Sequence, residues 1–109
     1  MKKNLLVING SARSSRSLSK MLSQRFLETW RSTELYGEIQ QRDVGTNPPP
    51  FVSEAWIAAA FTPEAERSEQ DRQILECSDQ AISELSNADV IVIATPMYNY
   101  GLPAAVKAW

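Results

Sequence analysis

The sequence predicts an α/β fold in which helices cover a doubly wound parallel β-sheet. Compact apolar runs alternate along the chain with longer segments whose apolar residues recur at helical spacing. Such alternation is typical of βαβ units, whose strands lie parallel to one another. The run DVIVIAT (89–95) is apolar at both sets of alternating positions, as expected of a strand covered by helices on each face. We therefore predict a parallel sheet, of which these 109 residues supply three strands.

The first half of the chain contains two predicted strands with a helix between them. NLLVIN (4–9) is a compact apolar run, and EIQQRDV (38–44) is a second, more weakly alternating strand. Between them, GSARSSRS (10–17) is a loop, and a helix extends from about Ser17 to Arg31. The helix is predicted from the spacing of five apolar residues, Leu18, Met21, Leu22, Phe26 and Trp30.

The second half of the chain begins with a proline-rich loop and is otherwise mostly helical. The three prolines of GTNPPP (45–50) exclude a helix or sheet interior. SEAWIAAAF (53–61) is predicted to be a short helix capped by Ser53. LPAAVKAW (102–109), after the third strand, is the beginning of another helix.

The long helix before the third strand has two possible starts. Thr62 could cap it with Pro63 at the first helical position, or Ser68 and Asp71 could form a capping box. Its apolar stripe consists of Ile74, Leu75, Ala81, Ile82 and Leu85. Its solvent face is expected to include the acidic residues Asp71, Glu76, Asp79 and Glu84.

The composition excludes several classes of function. A net charge of −2 and a pI near 5.1 do not favour a nucleic-acid partner. The absence of histidine removes the commonest metal ligand and general base, and the single Cys77 excludes an internal disulfide, so we expect no metal site and no histidine-activated nucleophile. No apolar run approaches the roughly 20 residues of a membrane span, so we expect no membrane partner and a cytoplasmic location.

The loop GSARSSRSLS (10–19) has the composition of a phosphate cradle. It combines five serine hydroxyls and two arginines at the start of a predicted helix. A helix N-terminus has free N–H groups and a positive dipole end, both of which favour an anion. The motifs GxGxxG and GxxxxGK[ST] are missing, so a monophosphate fits better than a pyrophosphate. The alternative is a polar surface loop with a serine N-cap.

The loop TPMYNYGLP (95–103) follows the third strand and is rich in flat side chains. Met97 is polarizable, Tyr98 and Tyr100 have aromatic faces, and Asn99 both donates and accepts hydrogen bonds. This combination suits a planar heterocycle with polar edges. The alternative is a turn whose aromatic rings pack on a neighbouring helix. In a doubly wound sheet, the loops after the first and third strands flank the ligand site.

Together the two loops resemble a known family. GSARSSRSLSKML resembles the phosphate loop, and PMYNYGLPAAVKAW the ring-binding loop, of the FMN-dependent NADH-azoreductases. These belong to the flavodoxin-like NAD(P)H:quinone oxidoreductases. The resemblance covers essentially the whole chain, including PPPF after the second strand. It implies a flavodoxin-like sheet, FMN as cofactor and NADH or NADPH as electron donor.

The resemblance also implies which residues bind the flavin. Four of them are expected at the phosphate: Ser11, Ser17, Leu18 and Ser19. Another four are expected against the ring and the ribityl chain, with Pro96 adjoining them: Met97, Tyr98, Asn99 and Tyr100. Arg13 and Arg16 receive no role.

The implied reaction is a ping-pong transfer of hydride from NAD(P)H through the flavin to a quinone or azo acceptor. No catalytic side chain is required, because the flavin supplies the chemistry. The resemblance further implies a homodimer. Two alternatives are a flavodoxin-type electron carrier without NAD(P)H oxidoreductase activity and an inactive fragment.

The length of the chain leads to one further expectation. A flavodoxin-like fold needs about five βα units, and a βαβ unit takes roughly 30 or more residues. We therefore expect residues 1–109 to be the N-terminal portion of a single FMN-binding domain, truncated within the helix after the third strand. That strand would form an exposed edge, and the isolated polypeptide would bind FMN poorly and associate.

Overall fold

A computed structural model describes all residues 1–109 and contains three β-strands and four α-helices in the predicted order. The strands are β1 (Lys3–Asn9), β2 (Tyr36–Asp43) and β3 (Val90–Ala94). The helices are α1 (Leu18–Arg31), α2 (Glu54–Phe61), α3 (Glu69–Asn87) and α4 (Ala104–Ala108), with one 3₁₀ turn at Glu64–Glu66.

The sheet is parallel, with β1 in the centre and the strand order β2-β1-β3. Val7 of β1 lies opposite Gln41 of β2 and Val92 of β3. The order 2-1-3 is how a flavodoxin-like sheet begins, and its direction of winding reverses between β1 and β3. The predicted fold is therefore confirmed, and the carboxyl ends of β1 and β3 flank the crevice in which such sheets bind ligands.

The central strand β1 is buried on both faces, because its side chains alternate between two apolar layers. On one face, Leu5 and Val7 pack against Leu27 of α1. On the other face, the buried cluster consists of Leu6, Ile8, Val44 and Val106. Each fully buried aliphatic side chain stabilises the fold by roughly 1.5–3 kcal/mol relative to an exposed one. This burial holds the ends of β1, β2 and α4 together beneath the crevice.

Helix α1 begins and ends where its apolar spacing predicts, but of the predicted apolar stripe only Trp30 packs against the buried cluster of the sheet. Ser23 and Leu27 are buried, whereas Leu18, Met21 and Leu22 are exposed. The hydroxyl of Ser23 donates a hydrogen bond of 2.8 Å to Oδ1 of Asn9 at the end of β1. A buried polar contact therefore replaces part of the apolar interface that the spacing indicates.

Helix α3 begins at the second of the two predicted starts. The Ser68 hydroxyl accepts from the Asp71 amide at 3.1 Å, and the Asp71 carboxylate accepts from the Ser68 amide at 3.0 Å, which completes a capping box. Thr62 instead terminates α2, and Pro63 precedes the 3₁₀ turn. The Arg67 guanidinium donates to the carbonyl oxygens of Ala59 and Thr62, and so connects the segment before α3 to the end of α2.

The expectation that Glu84 lies on the solvent face of α3 is wrong. Its side chain is only 8% exposed and forms a bidentate ion pair with Arg42 of β2, in which Arg42 Nε donates to Glu84 Oε2 at 2.7 Å. The hydrogen bond to Glu84 raises the pKa of the Arg42 guanidinium above its ordinary value, although burial opposes the rise. Glu76 and Asp79 are exposed as predicted.

Strand β3 lies at an edge of the sheet and pairs only with β1. Val90 and Val92 pack toward the Leu27 side of the core. Ile91 and Ile93 face the opposite side and are nearly half exposed. Helices therefore cover β3 incompletely, in contrast to the complete cover that its apolar pattern predicts, and the predicted open edge is present.

Candidate cofactor site

The loops after β1 and β3 lie side by side at the carboxyl edge of the sheet. The Gly10 amide donates a hydrogen bond of 2.9 Å to the carbonyl oxygen of Ala94. Farther out, the Ala12 amide donates to the hydroxyl oxygen of Tyr98 at 3.4 Å. The two segments that the sequence predicts as halves of one site are therefore neighbours in the structure.

The N-terminus of α1 concentrates hydrogen-bond donors at the first loop. Ser17 is the N-cap, and its hydroxyl oxygen accepts from the Lys20 amide at 3.3 Å. The amides of Leu18 and Ser19 have no acceptor within the chain, as is usual in the first turn of a helix. The hydroxyl oxygens of Ser17 and Ser19 are 3.3 Å apart. Two amides and two hydroxyls therefore converge at one helix end.

Ser11 completes the lining of this loop from the end of β1. The residue is 3% exposed, and its hydroxyl oxygen accepts from the Arg13 amide at 3.2 Å, which leaves the hydroxyl hydrogen free to donate. Arg16 has a positive φ of 54°, so the chain turns sharply just before the Ser17 cap. The guanidiniums of Arg13 and Arg16 are exposed and form no ion pair.

The second loop forms a tight turn that leaves its flat side chains exposed. Tyr98 and Gly101 exchange two backbone hydrogen bonds of 3.0 and 3.1 Å. The two residues between them, Asn99 and Tyr100, have φ values of 51° and 62°, as in a type I′ turn. Tyr100 is 96% exposed and Met97 is also exposed. The alternative in which these aromatic rings pack on a neighbouring helix is therefore wrong for Tyr100.

An ion pair that the sequence did not predict lies beside the first loop and stabilises its position. Asp43, at the end of β2, accepts hydrogen bonds of 3.1 Å from the amides of Gly45 and Thr46 through Oδ1. Its Oδ2 lies 2.8 Å from Nζ of Lys20. Burial raises the pKa of Asp43, but the hydrogen bonds from Lys20 and Thr46 outweigh it, so the pKa lies below its ordinary value. The aspartate followed closely by glycine after a strand indicates the turn at Asp43, because this pattern favours one, but it does not indicate the ion pair with Lys20.

Comparison with known proteins identifies the family. A family model described as "Flavodoxin-like fold" matches residues 3–109. The chain belongs to the flavodoxin-like fold family. This membership agrees with the strand order and with the position of the two loops at the flavodoxin-like switch point.

Among flavodoxin-like relatives, several are curated as FMN-dependent NADH:quinone oxidoreductases. The chain is 50% identical over 93 residues to FMN-dependent NADH:quinone oxidoreductase 2 of Idiomarina loihiensis, an alignment that covers 85% of this chain and 39% of that protein. It is 43% identical over 107 residues to the FMN-dependent NADH:quinone oxidoreductase of Opitutus terrae, covering 98% and 50% of the two chains. The chain thus spans half or less of the length of these relatives.

A solved flavodoxin-like structure shows the same arrangement of strands and helices. The FMN-dependent NADH-azoreductase from Bacillus anthracis, in complex with FMN, superimposes with a TM-score of 0.80 at 19% identity. The match covers 96% of this chain and 52% of that one. At this identity the likeness establishes the fold.

No three histidine, cysteine, aspartate or glutamate side chains are grouped closely enough to hold a metal ion. None of the helices is both long enough and apolar enough to cross a bilayer.

An apolar cleft of about 240 Å³ lies between the proline loop, α3 and Trp109, with Cys77 in its wall.

Proposed function

We propose that the protein is an FMN-dependent NAD(P)H oxidoreductase that reduces quinones and azo compounds by a ping-pong mechanism. The observation that carries this proposal is the juxtaposition of a donor-rich helix N-terminus with the exposed Met97–Tyr100 segment at the switch point of the sheet. The names of the relatives from Idiomarina loihiensis and Opitutus terrae support the choice of FMN, NADH and quinones. The Bacillus anthracis azoreductase supports azo compounds as further acceptors.

The donors around α1 fit a phosphate monoester. The amides of Leu18 and Ser19 and the hydroxyls of Ser11, Ser17 and Ser19 would hold its oxygens. Each hydrogen bond to a charged group contributes roughly 1.5–3 kcal/mol, so several together outweigh the helix dipole. The exposed side chain of Leu18 makes no contact with the core, which is consistent with a role for its amide alone.

The second loop fits a flat ring with polar edges. Met97, Tyr98 and Tyr100 would lie against the isoalloxazine and ribityl parts of FMN, and Asn99 would supply an amide at the polar edge. Pro96 adjoins them two residues beyond the end of β3, where its inability to donate to the strand ladder costs nothing. The positive φ values of Asn99 and Tyr100 turn the chain back within two residues, so that both side chains remain outside the core.

The contribution of these residues to the reaction is to bind and orient the cofactor. When bound, FMN supplies the hydride chemistry that links NAD(P)H to the acceptor. Ser17 and the α1 amides would fix the phosphate end, and the turn at Asn99 and Tyr100 would fix the position of the ring. None of the site residues is a histidine or a carboxylate, so we assign no catalytic side chain.

We also propose that the complete protein acts as a homodimer. An apolar surface around α2 supports this proposal, because Phe51, Val52, Ile57 and Phe61 are exposed. Large exposed apolar patches commonly mark protein–protein contact sites. Sedimentation of the complete gene product should give twice the protomer mass. A cytoplasmic location stays a prediction from the sequence.

Anaerobic stopped-flow mixing of the flavin-loaded complete gene product with NADH tests the proposed function. We expect rapid loss of the absorbance of oxidised flavin, followed by its recovery when a soluble quinone is added. A flavodoxin-type carrier would retain the oxidised absorbance after NADH is added, and this result would reject the enzyme. Flavin titration of the 1–109 polypeptide beside the complete gene product tests the third alternative, an inactive fragment.

A further inference from the structure

We propose that Lys20 and Asp43 act as positioning residues that hold loop 10–17 in the shape required to bind the phosphate of FMN. The inference rests on the proposed FMN site and assigns a role to two residues outside it. Neither side chain belongs to the set of donors described above. Both act through the backbone of the loop.

The geometry connects three elements through one ammonium group. Nζ of Lys20, in the first turn of α1, donates to the carbonyl oxygen of Arg13 at 2.6 Å and lies 2.8 Å from Asp43 Oδ2. The other carboxylate oxygen of Asp43 is held by the amides of Gly45 and Thr46. Because both oxygens of Asp43 are engaged, the carboxylate has a fixed orientation. Lys20 therefore ties the middle of the loop to the end of β2.

The loop has few other attachments between Ser11 and Ser17. Apart from the bond to Lys20, its only hydrogen bond to another part of the chain is the 3.4 Å contact between the Ala12 amide and Tyr98. Arg16 has a positive φ, a conformation that persists in a non-glycine residue only when the surroundings enforce it. Along the chain, the Arg13 carbonyl lies between the Ala12 contact and Arg16. Loss of the Lys20 contact would therefore free the segment that places Ser17 and Ser11 around the phosphate.

A positioning role and a direct effect of charge predict opposite changes in FMN affinity for one variant, Asp43→Asn. Asp43→Asn removes a negative charge near the proposed dianion site, so charge alone would tighten FMN binding. Lys20→Met removes a positive charge, so charge alone would weaken it. If the pair positions the loop, both substitutions weaken FMN binding, and the double variant is little worse than either single one, because the two residues act as a unit.

Equilibrium titration of the apo form of the complete gene product with FMN and with riboflavin tests the inference. Riboflavin has the same ring but no phosphate, so the ratio of the two affinities isolates the phosphate contacts. Glu84→Gln is the matched control, because it disrupts the ion pair of the adjacent Arg42 and has no contact with loop 10–17. Lys20→Arg is the conservative variant, since a guanidinium can also bridge a carbonyl and a carboxylate.

We expect Asp43→Asn and Lys20→Met each to weaken FMN binding by roughly 3- to 10-fold with little change for riboflavin. Glu84→Gln should leave the ratio unchanged, and Lys20→Arg should restore most of it. An unchanged ratio in both variants, or tighter FMN binding by Asp43→Asn, would overturn the inference. A wild-type protein that binds neither flavin would instead reject the proposed FMN site itself.

Discussion

Gly45 has no side chain, and this allows the first loop to lie close to its backbone. A Cβ built on Gly45 would lie 1.9 Å from the carbonyl oxygen of Ser11, far inside van der Waals contact. The close approach arises because the Gly45 amide donates to the carbonyl oxygen of Asn9 at 3.2 Å. Glycine is therefore needed here for space, since its φ is not positive.

We predict that Gly45→Ala lowers the free energy of unfolding by about 3 kcal/mol, because the methyl group must displace the Ser11 backbone. Urea denaturation measures the change. Gly101→Ala is the matched control, since the nearest atom to its Cβ would be Lys107 Nζ at 4.0 Å, and it should cost much less. Equal losses of unfolding free energy in the two variants would show that the close contact with Ser11 does not account for the effect of Gly45→Ala.

Tyr100 combines an unfavourable backbone conformation with an exposed ring. A non-glycine residue in the left-handed region costs roughly 1–2 kcal/mol, and nothing in the chain packs on the Tyr100 side chain to offset this cost. We predict that Tyr100→Gly raises the free energy of unfolding by up to about 1 kcal/mol and weakens flavin binding.

Tyr100→Ala separates the two effects, because it removes the ring but keeps a side chain at positive φ. It should weaken flavin binding without the gain in stability. Thermal unfolding and flavin titration of both variants provide the measurements. Stabilisation by alanine as large as that by glycine would contradict the argument from backbone strain.

Asp43 should make stability depend on pH in acid. Its pKa is lowered in the folded state, so its contribution is fully present above the unfolded pKa of about 3.9 and is lost as the pH falls through the folded value. We predict that the difference in unfolding free energy between wild type and Asp43→Asn is constant above pH ~5 and shrinks below pH ~4. Urea denaturation over a pH series measures it, and a difference that grows in acid would contradict the assignment.

At the scale of elements, the capping box defines the start of α3. Ser68→Ala removes the hydroxyl that accepts from the Asp71 amide, and we predict a loss of about 1 kcal/mol of stability. Ser83→Ala, at an exposed interior position of the same helix, is the matched control and should be neutral or slightly stabilising. Comparable losses in both variants would indicate that the cap is not what positions the helix start.

Local sequence patterns were sufficient for the elements but not for their contacts. Caps and apolar patterns predicted the order of the helices and strands and most of their ends to within a few residues, because these signals act between neighbours along the chain, but they left the start of α3 open between Thr62 and Ser68. The ion pair of Arg42 with Glu84 joins residues 42 positions apart, and no local pattern distinguishes Glu84 from the exposed Glu76. The hydrogen bond between Ser23 and Asn9 was missed for the same reason, since it depends on how α1 crosses β1.

At the scale of the whole molecule, the exposed apolar surface leads to a prediction about association. Ile91 and Ile93 lie on the open edge strand β3, and Leu18 and Leu22 are exposed on α1. We predict that the isolated 1–109 polypeptide associates, because an exposed edge strand with apolar side chains can pair with another copy. Size-exclusion chromatography with light scattering measures the mass, and Ile93→Lys should reduce association. A monodisperse monomer of 1–109 would contradict this expectation.

The position of the candidate site could be predicted from the sequence because it follows from topology. Parallel strands place their carboxyl ends at one edge, so loops 10–17 and 95–103 were expected to meet, and they do. The ion pair that stabilises the first loop could not be predicted from the sequence. Lys20 and Asp43 interact only because β2 ends beside the first turn of α1, and this register is a property of the assembled sheet.

The central claim is that these two loops form one FMN site, and a crystal structure of the complete gene product grown with FMN tests it most directly. The account predicts the phosphate within hydrogen-bond distance of the Leu18 and Ser19 amides and the Ser17 hydroxyl, with the flavin ring against Met97–Tyr100. A flavin bound elsewhere, or with its phosphate away from the start of α1, would contradict the account.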